Sequence, residues 1–167
     1  EIHTMNSIYA VNTPYPQITG VCSPCDIRMI MDLYAGRTGE LTSTTQYLYE
    51  HYVIDGIDEK ISQTVFGLAK VEMLHHALLG EAITKLGGDP IMGGSTCFWS
   101  GSNLKYTKNP ICFLQNSLQS EQNAVSNYRR AASCVKNSSL SELFLRIAED
   151  EVLHIQILED LLEEISQ

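Results

Sequence analysis

Two four-residue patterns, Glu72-Met73-Leu74-His75 and Glu151-Val152-Leu153-His154, hold the side chains of this 167-residue chain that are best suited to chemistry. Each sets a carboxylate and an imidazole three positions apart, which on a helix is one face. Steps of four and three residues link Ile61, Val65, Leu68, Glu72, His75, Leu79, Ala82 and Leu86 into one stripe. The same steps link Leu140, Phe144, Ile147, Glu151, His154, Leu158, Leu161 and Ile165 into another. In both, Glu and His stand where the pattern otherwise has apolar side chains. A buried, unpaired carboxylate is costly, so a cation or a set of donors must compensate it.

Each Glu-x-x-His helix is preceded by a helical run with one inward glutamate, Glu40 in the first case and Glu121 in the second. Both glutamates are followed seven residues later by a tyrosine, Tyr47 and Tyr128. Glu72 and Glu151 lie 79 positions apart (151 − 72), as do His75 and His154, and Glu40 and Glu121 lie 81 apart. The chain therefore uses one helix pair twice. A glutamate from each of two helices and a Glu-x-x-His from each of the other two, all facing one bundle core, form the ligand set for two divalent metal ions. Glu40, Glu72, Glu121 and Glu151 supply four negative charges against four positive ones. Carboxylates bridging the ions and an imidazole on each suit iron or manganese, with positions left for water, dioxygen or hydrogen peroxide. Tyr47 and Tyr128 read either as core aromatics or as hydroxyls that hydrogen-bond the ligand carboxylates.

Four helices must position these groups. Residues 1–23, with Pro14, Pro16 and Gly20 and no sustained period, predict an extended arm over the surface; residues 24–167 form the bundle. The first helix is expected over about 24–54, with Gly36 and Gly39 as an interruption just before Glu40 and Asp55-Gly56 as the turn that ends it. In Cys22-Ser23-Pro24-Cys25 the pattern fits a helix start, Ser23 as N-cap and Pro24 first, better than a redox or metal role, since a rubredoxin-type metal site would need a second Cys-x-x-Cys. The second helix runs over about 58–86 and stops at Gly87-Gly88. Residues 87–109, rich in Gly, Ser and Asn, are a crossover loop along the bundle. The third helix covers about 110–136, and Ser139 with Glu142 is read as the capping box of the fourth. His51, His76, Glu50 and Glu81 fall beside the inward stripes, and Glu149-Asp150, Glu159-Asp160 and Glu163-Glu164 read as a solvated acidic face. The fold class is all-α, two antiparallel hairpins joined by a long crossover.

Composition narrows the function classes. A formal charge of −9 and no basic patch argue against nucleic acid or an anionic membrane as partner. No apolar run reaches the length of a membrane span, and no signal segment follows Glu1. Five cysteines, an odd number at low density, point to a reducing, cytoplasmic location.

The six residues Glu40, Glu72, His75, Glu121, Glu151 and His154, over residues 24–167, resemble the signature of ferritin-like dimetal-carboxylate proteins, nearest to rubrerythrins, manganese catalases and bacterioferritins. That resemblance implies a ferritin-like four-helix bundle whose iron or manganese pair reacts with hydrogen peroxide or dioxygen, as in peroxide detoxification under oxidative stress. The chain departs from rubrerythrins at Ala124, where they carry a further carboxylate, and in having no rubredoxin module, so an electron donor is unidentified. In manganese catalases the last Glu-x-x-His glutamate acts as a base. By that resemblance Glu151 is a proton shuttle and the other five are ligands. Iron storage with ferroxidase activity and a non-catalytic coat protein are the alternatives. Exposed helix faces imply a homodimer or larger homo-oligomer.

Overall fold

The computed structural model describes residues 7–166, and its α-helices other than the one that starts at Glu40 begin at a residue whose side chain caps them. At Ser23 the hydroxyl accepts from Asp26 N–H (3.2 Å) while the Asp26 carboxylate accepts from Ser23 N–H (3.1 Å), and Pro24 opens α1, Pro24–Ala35. Burial, with Asp26 beside it, pushes the Cys22 thiol up to about 11, so it stays a thiol at neutral pH. The first bundle helix is not continuous. It breaks over Gly36–Gly39 and resumes as α2, Glu40–Ile54. A side chain at either glycine would jam this break: a Cβ at Gly36 would stand 2.3 Å from the Asp32 carbonyl oxygen, and one at Gly39 2.4 Å from that of Leu33. The break puts Glu40 in the first turn of α2, where the unpaired N–H groups favour a carboxylate.

Asp58 caps α3, Glu59–Lys85, by accepting from Ile61 N–H, and Gly87, at φ +84°, turns the chain after it. Asn109 caps α4, Pro110–Cys134, with Pro110 at its first position. The cap of α5, Ser138–Ile165, is Asn137 and not Ser139. Ser139 lies inside the helix, buried, and its hydroxyl accepts from Thr19 N–H of the N-terminal segment (3.0 Å). No periodic signal announced that segment's path, so the capping box predicted at Ser139 and Glu142 gave way to a tertiary contact.

α2 pairs with α3 and α4 with α5, while α1 lies against α3 ahead of the break. Together they make the four-helix bundle that the internal repeat implied. The crossover between α3 and α4 follows α1 and then α2: Tyr34 donates to the Pro90 carbonyl (3.2 Å), Trp99 Nε1 to Thr42 Oγ1 (2.9 Å), and Lys105 N–H to Gln46 Oε1 (2.8 Å). Two apolar clusters fill the bundle. One gathers Ile30, Leu79, Phe144 and Ile147 with their neighbours, the other Val65, Leu68, Leu114 and Leu158 with theirs. The inward Glu and His side chains lie between them along the helices. Among the described residues no helix is long and apolar enough to cross a membrane.

Candidate metal centre

All six sequence-predicted ligand residues converge in the core, each between 0% and 3% exposed. Their ligand atoms fall into two sets, Glu40, Glu72, His75 and Glu151 in one and Glu72, Glu121, Glu151 and His154 in the other. Within each set the atoms lie within 4.8 Å of one another. Glu72 and Glu151, one from each Glu-x-x-His helix, belong to both sets. His75 Nδ1 is 3.2 Å from Glu151 Oε1 and 3.7 Å from Glu40 Oε2. His154 Nδ1 is 2.9 Å from Glu72 Oε1, 3.2 Å from Glu151 Oε2 and 3.9 Å from Glu121 Oε2.

These atoms are near one another without bonding. Glu40 Oε2, Glu72 Oε1, both oxygens of Glu151, and the Nδ1 atoms of His75 and His154 are buried and have no hydrogen-bond partner. Six buried, orphaned polar atoms in one cluster would cost far more than a marginally stable fold can spare. Divalent cations placed among them would satisfy all six, and carboxylate oxygen with imidazole nitrogen is a donor set that iron and manganese accept. The residues present therefore fit the dimetal group.

Electrostatics point the same way. Burial pushes the Glu40 and Glu121 carboxyls well above the usual carboxylate range, and the charge of Glu72 adds to it. Burial would raise Glu72 as well, but the His154 and His75 imidazoles hold it low, and they hold Glu151 low against burial and the charge of Glu72. Burial alone would lower both imidazoles; Asp150 and the carboxylates around them outweigh it and push them well up. The cluster thus grips positive charge, whether as protons or as metal ions that displace them.

The two tyrosines cross between hairpins. Tyr47 of α2 donates to Glu121 of α4, and Tyr128 of α4 donates to Glu40 of α2. Each fixes one oxygen of an outer carboxylate and leaves the other turned inward. The far nitrogens of the imidazoles are held too. His75 Nε2 lies 3.0 Å from Asp150 Oδ2, and His154 Nε2 lies 2.9 Å from the Tyr9 carbonyl oxygen. Asp150 is fully buried, which corrects its assignment to a solvated face. Tyr15 Oη (2.6 Å) and Val11 N–H (2.7 Å) donate to its carboxylate and Arg146 Nη1 forms an ion pair with it at 2.8 Å; His75, with Tyr15 and Arg146, holds it down at about 2 despite burial.

Glu50 is likewise buried rather than flanking. One oxygen accepts from Ser117 Oγ (2.9 Å) and Gln46 Nε2 (3.0 Å), the other has no partner, and burial pushes the carboxyl up to about 8. His76, on the flank, stacks on Tyr34 with ring centroids 4.1 Å apart. Between α2 and α4 a cavity of about 170 Å³ lined by Ser43, Gln46, Tyr47, Glu121, Ala124 and Asn127, among others, reaches the centre from one side. A smaller opening past Gly39, Ser43 and Ala124 touches Glu40, Glu72 and Glu151 directly. Ala124, where rubrerythrins were expected to have a carboxylate, is part of both.

The family described as the ferritin-like domain matches residues 33–167. A manganese catalase from Anabaena superposes with a TM-score of 0.84 over 93% of this chain and 80% of its own, at 17% identity. The bacterioferritin BfrA of Mycobacterium tuberculosis gives 0.74 over 88% and 89%, at 20% identity. The bacterioferritin of Desulfovibrio desulfuricans, a protein with a diiron site, gives 0.69 over 85% and 80%, at 23% identity. No curated protein matches the sequence. At these identities the likeness is one of fold.

Proposed function

We propose that this chain, which belongs to the ferritin-like domain family, is a dinuclear iron or manganese oxidoreductase acting on hydrogen peroxide or dioxygen. The observation that carries the reading is the pair of ligand sets sharing Glu72 and Glu151, with six orphaned atoms turned toward one another. Two such ions, cycling between oxidation states, would exchange electrons with peroxide or dioxygen.

The protein's own groups divide the remaining work. Glu40 with His75 would hold one ion and Glu121 with His154 the other, with Glu72 and Glu151 available to both. Tyr128 and Tyr47 keep the outer carboxylates in place through their hydroxyls. Glu151 has neither oxygen committed to a hydrogen bond, so it is the bridging carboxylate freest to shift and to pass a proton to bound peroxide. The opening past Ser43 and Ala124 reaches Glu40 and Glu151 and is the side from which substrate would enter. The apolar clusters on either side exclude bulk water.

Peroxide disproportionation, the reaction of the Anabaena neighbour's class, uses the same site without an outside reductant. Ferroxidase-type iron storage uses it to oxidise ferrous iron. Elemental analysis of protein from its native host, paired with oxygen release on adding hydrogen peroxide, separates these. Two ions per chain with peroxide consumed only when a reductant is supplied is the expected result. Two manganese with oxygen evolution assigns a catalase, and iron taken up and retained as oxide assigns storage. No metal as isolated and none taken up on reconstitution refutes the dimetal centre.

A further inference from the structure

The internal repeat is faithful at the six ligand positions and fails one layer outward. With the offset of 79 that relates the two Glu-x-x-His motifs, Asp150 corresponds to Val71 and Arg146 to Gly67. The second half thus has a buried Arg146–Asp150 pair (2.8 Å) that holds His75, and Gly67 and Val71, at the matching positions of the first half, offer no such pair to His154. The N-terminal arm occupies that place. The ring of Tyr9 lies on Gly67 so closely that a Cβ there would stand 2.2 Å from its Cε2, and the carbonyl of Tyr9 takes the Nε2–H of His154. A glycine inside a helix weakens it relative to alanine. Here that cost makes a seat for the arm.

On the other side the arm completes the Asp150 cluster. Val11 N–H and the Tyr15 hydroxyl both donate to Asp150, and Arg146 donates back to the carbonyls of Val11 (2.6 Å) and Thr13 (2.8 Å). The Tyr15 ring stands edge-on to His75, centroids 6.1 Å apart. Both imidazoles are therefore set, one directly and one through Asp150, by the same seven residues.

We infer that residues 9–15 are a positioning part of the metal centre: the Tyr9 carbonyl stands in for the carboxylate that the first repeat lacks, and Val11 and Tyr15 orient Asp150, so that both ligand imidazoles present Nδ1 to the ions. This rests on the dimetal reading above. Because the arm holds the ligands, metal binding and arm docking strengthen each other by the same factor. Partners one bond beyond the ligands typically change metal affinity by about 10- to 100-fold.

The test uses the full chain and manganese(II) alone. In the wild-type protein, two ions per chain should slow amide exchange of Val11 about tenfold or more. Tyr15→Phe, which removes one hydrogen bond to Asp150 and no ligand, should weaken manganese affinity about tenfold with the stoichiometry kept. With cobalt(II) in place of manganese, the two imidazole Nε2–H protons should give separate shifted resonances, and that of His75 should exchange faster in Tyr15→Phe, a signature that loss of packing elsewhere does not produce. Two ions bound with Val11 exchange unchanged, or wild-type affinity in a folded Tyr15→Phe, overturns the inference and leaves the dimetal centre standing. No ion bound by the wild type overturns both.

Discussion

Replacing Glu50 by Gln should stabilise the protein at neutral pH and do nothing at pH 4.5. The carboxyl of Glu50 is fully buried, its ordinary value of 4.5 is pushed up to about 8, and its two donors, Ser117 and Gln46, share one oxygen. The folded chain therefore binds this proton more tightly than the unfolded chain. The stability it confers is complete below the unfolded value and is lost as pH rises from 4.5 toward 8. Each pH unit in that window costs about 1.4 kcal/mol, so by pH 7 the wild type has given up about 3 kcal/mol. Glutamine has the shape of the protonated acid, accepts the same two hydrogen bonds and never ionises. The difference in unfolding free energy between Glu50→Gln and wild type should thus grow from near zero at pH 4.5 to about 3 kcal/mol at pH 7 and level off above pH 8. Urea unfolding of both proteins, in the same metal state across that range, measures it. Taking the difference cancels the other titrating groups, since no ligand of the centre bonds Glu50. A difference that stays flat with pH would refute the reasoning, because it would mean that Glu50 is ionised in the fold.

Other substitutions separate the roles proposed at the centre. Glu151→Gln should reduce bound metal below two per chain if Glu151 bridges, whereas two ions retained with peroxide turnover lost would assign it the proton-shuttle role alone; elemental analysis with an oxygen electrode reads both. Asp150→Asn should weaken manganese(II) binding by about 10- to 100-fold by calorimetry, since it removes the anion that holds His75. Ala124→Leu should fill the opening beside Glu40 and Glu151, slowing peroxide turnover while leaving two ions bound. Unchanged turnover there would place the substrate's route elsewhere.

The four-helix architecture and the convergence of Glu40, Glu72, His75, Glu121, Glu151 and His154 were legible because each lies on an apolar stripe of helical period, and the period alone states which face is inward. The groups that escaped notice are those whose burial depends on something without a period. Arg146 and Asp150, four apart on a helix, have the spacing of an ordinary surface ion pair. They are buried because residues 9–15 cover them, and an irregular segment carries no mark of where it will lie. Glu50 is hidden for a related reason: α2 is covered by α3 and α4 and also by the crossover that pairs Lys105 with Gln46, so the helix has less free surface than a stripe count allows. One signal was available for the arm. The repeat aligns Val71 with Asp150 and Gly67 with Arg146, and a repeat that keeps its ligands while losing what supports one of them implies that support comes from outside it.

The same broken symmetry bears on how the two ions bind. His75 is backed by the carboxylate of Asp150, whereas His154 is backed by a neutral peptide carbonyl. A negatively charged partner makes an imidazole the stronger electron donor toward a cation. Against this, Glu40 sits in the first turn of α2, where the helix N-terminus repels a cation, while Glu121 lies in the middle of α4. The first effect acts through a charged hydrogen bond at 3.0 Å. The second is a partial charge typically worth about 0.3–1 kcal/mol, so the Asp150 side should win. The ion held by Glu40 and His75 should bind first, and a calorimetric titration with manganese(II) should resolve two steps. Asp150→Asn should bring the steps together or reverse them. Two wild-type steps that move further apart in Asp150→Asn would mean that the helix terminus, and not the carboxylate behind His75, sets the order of loading.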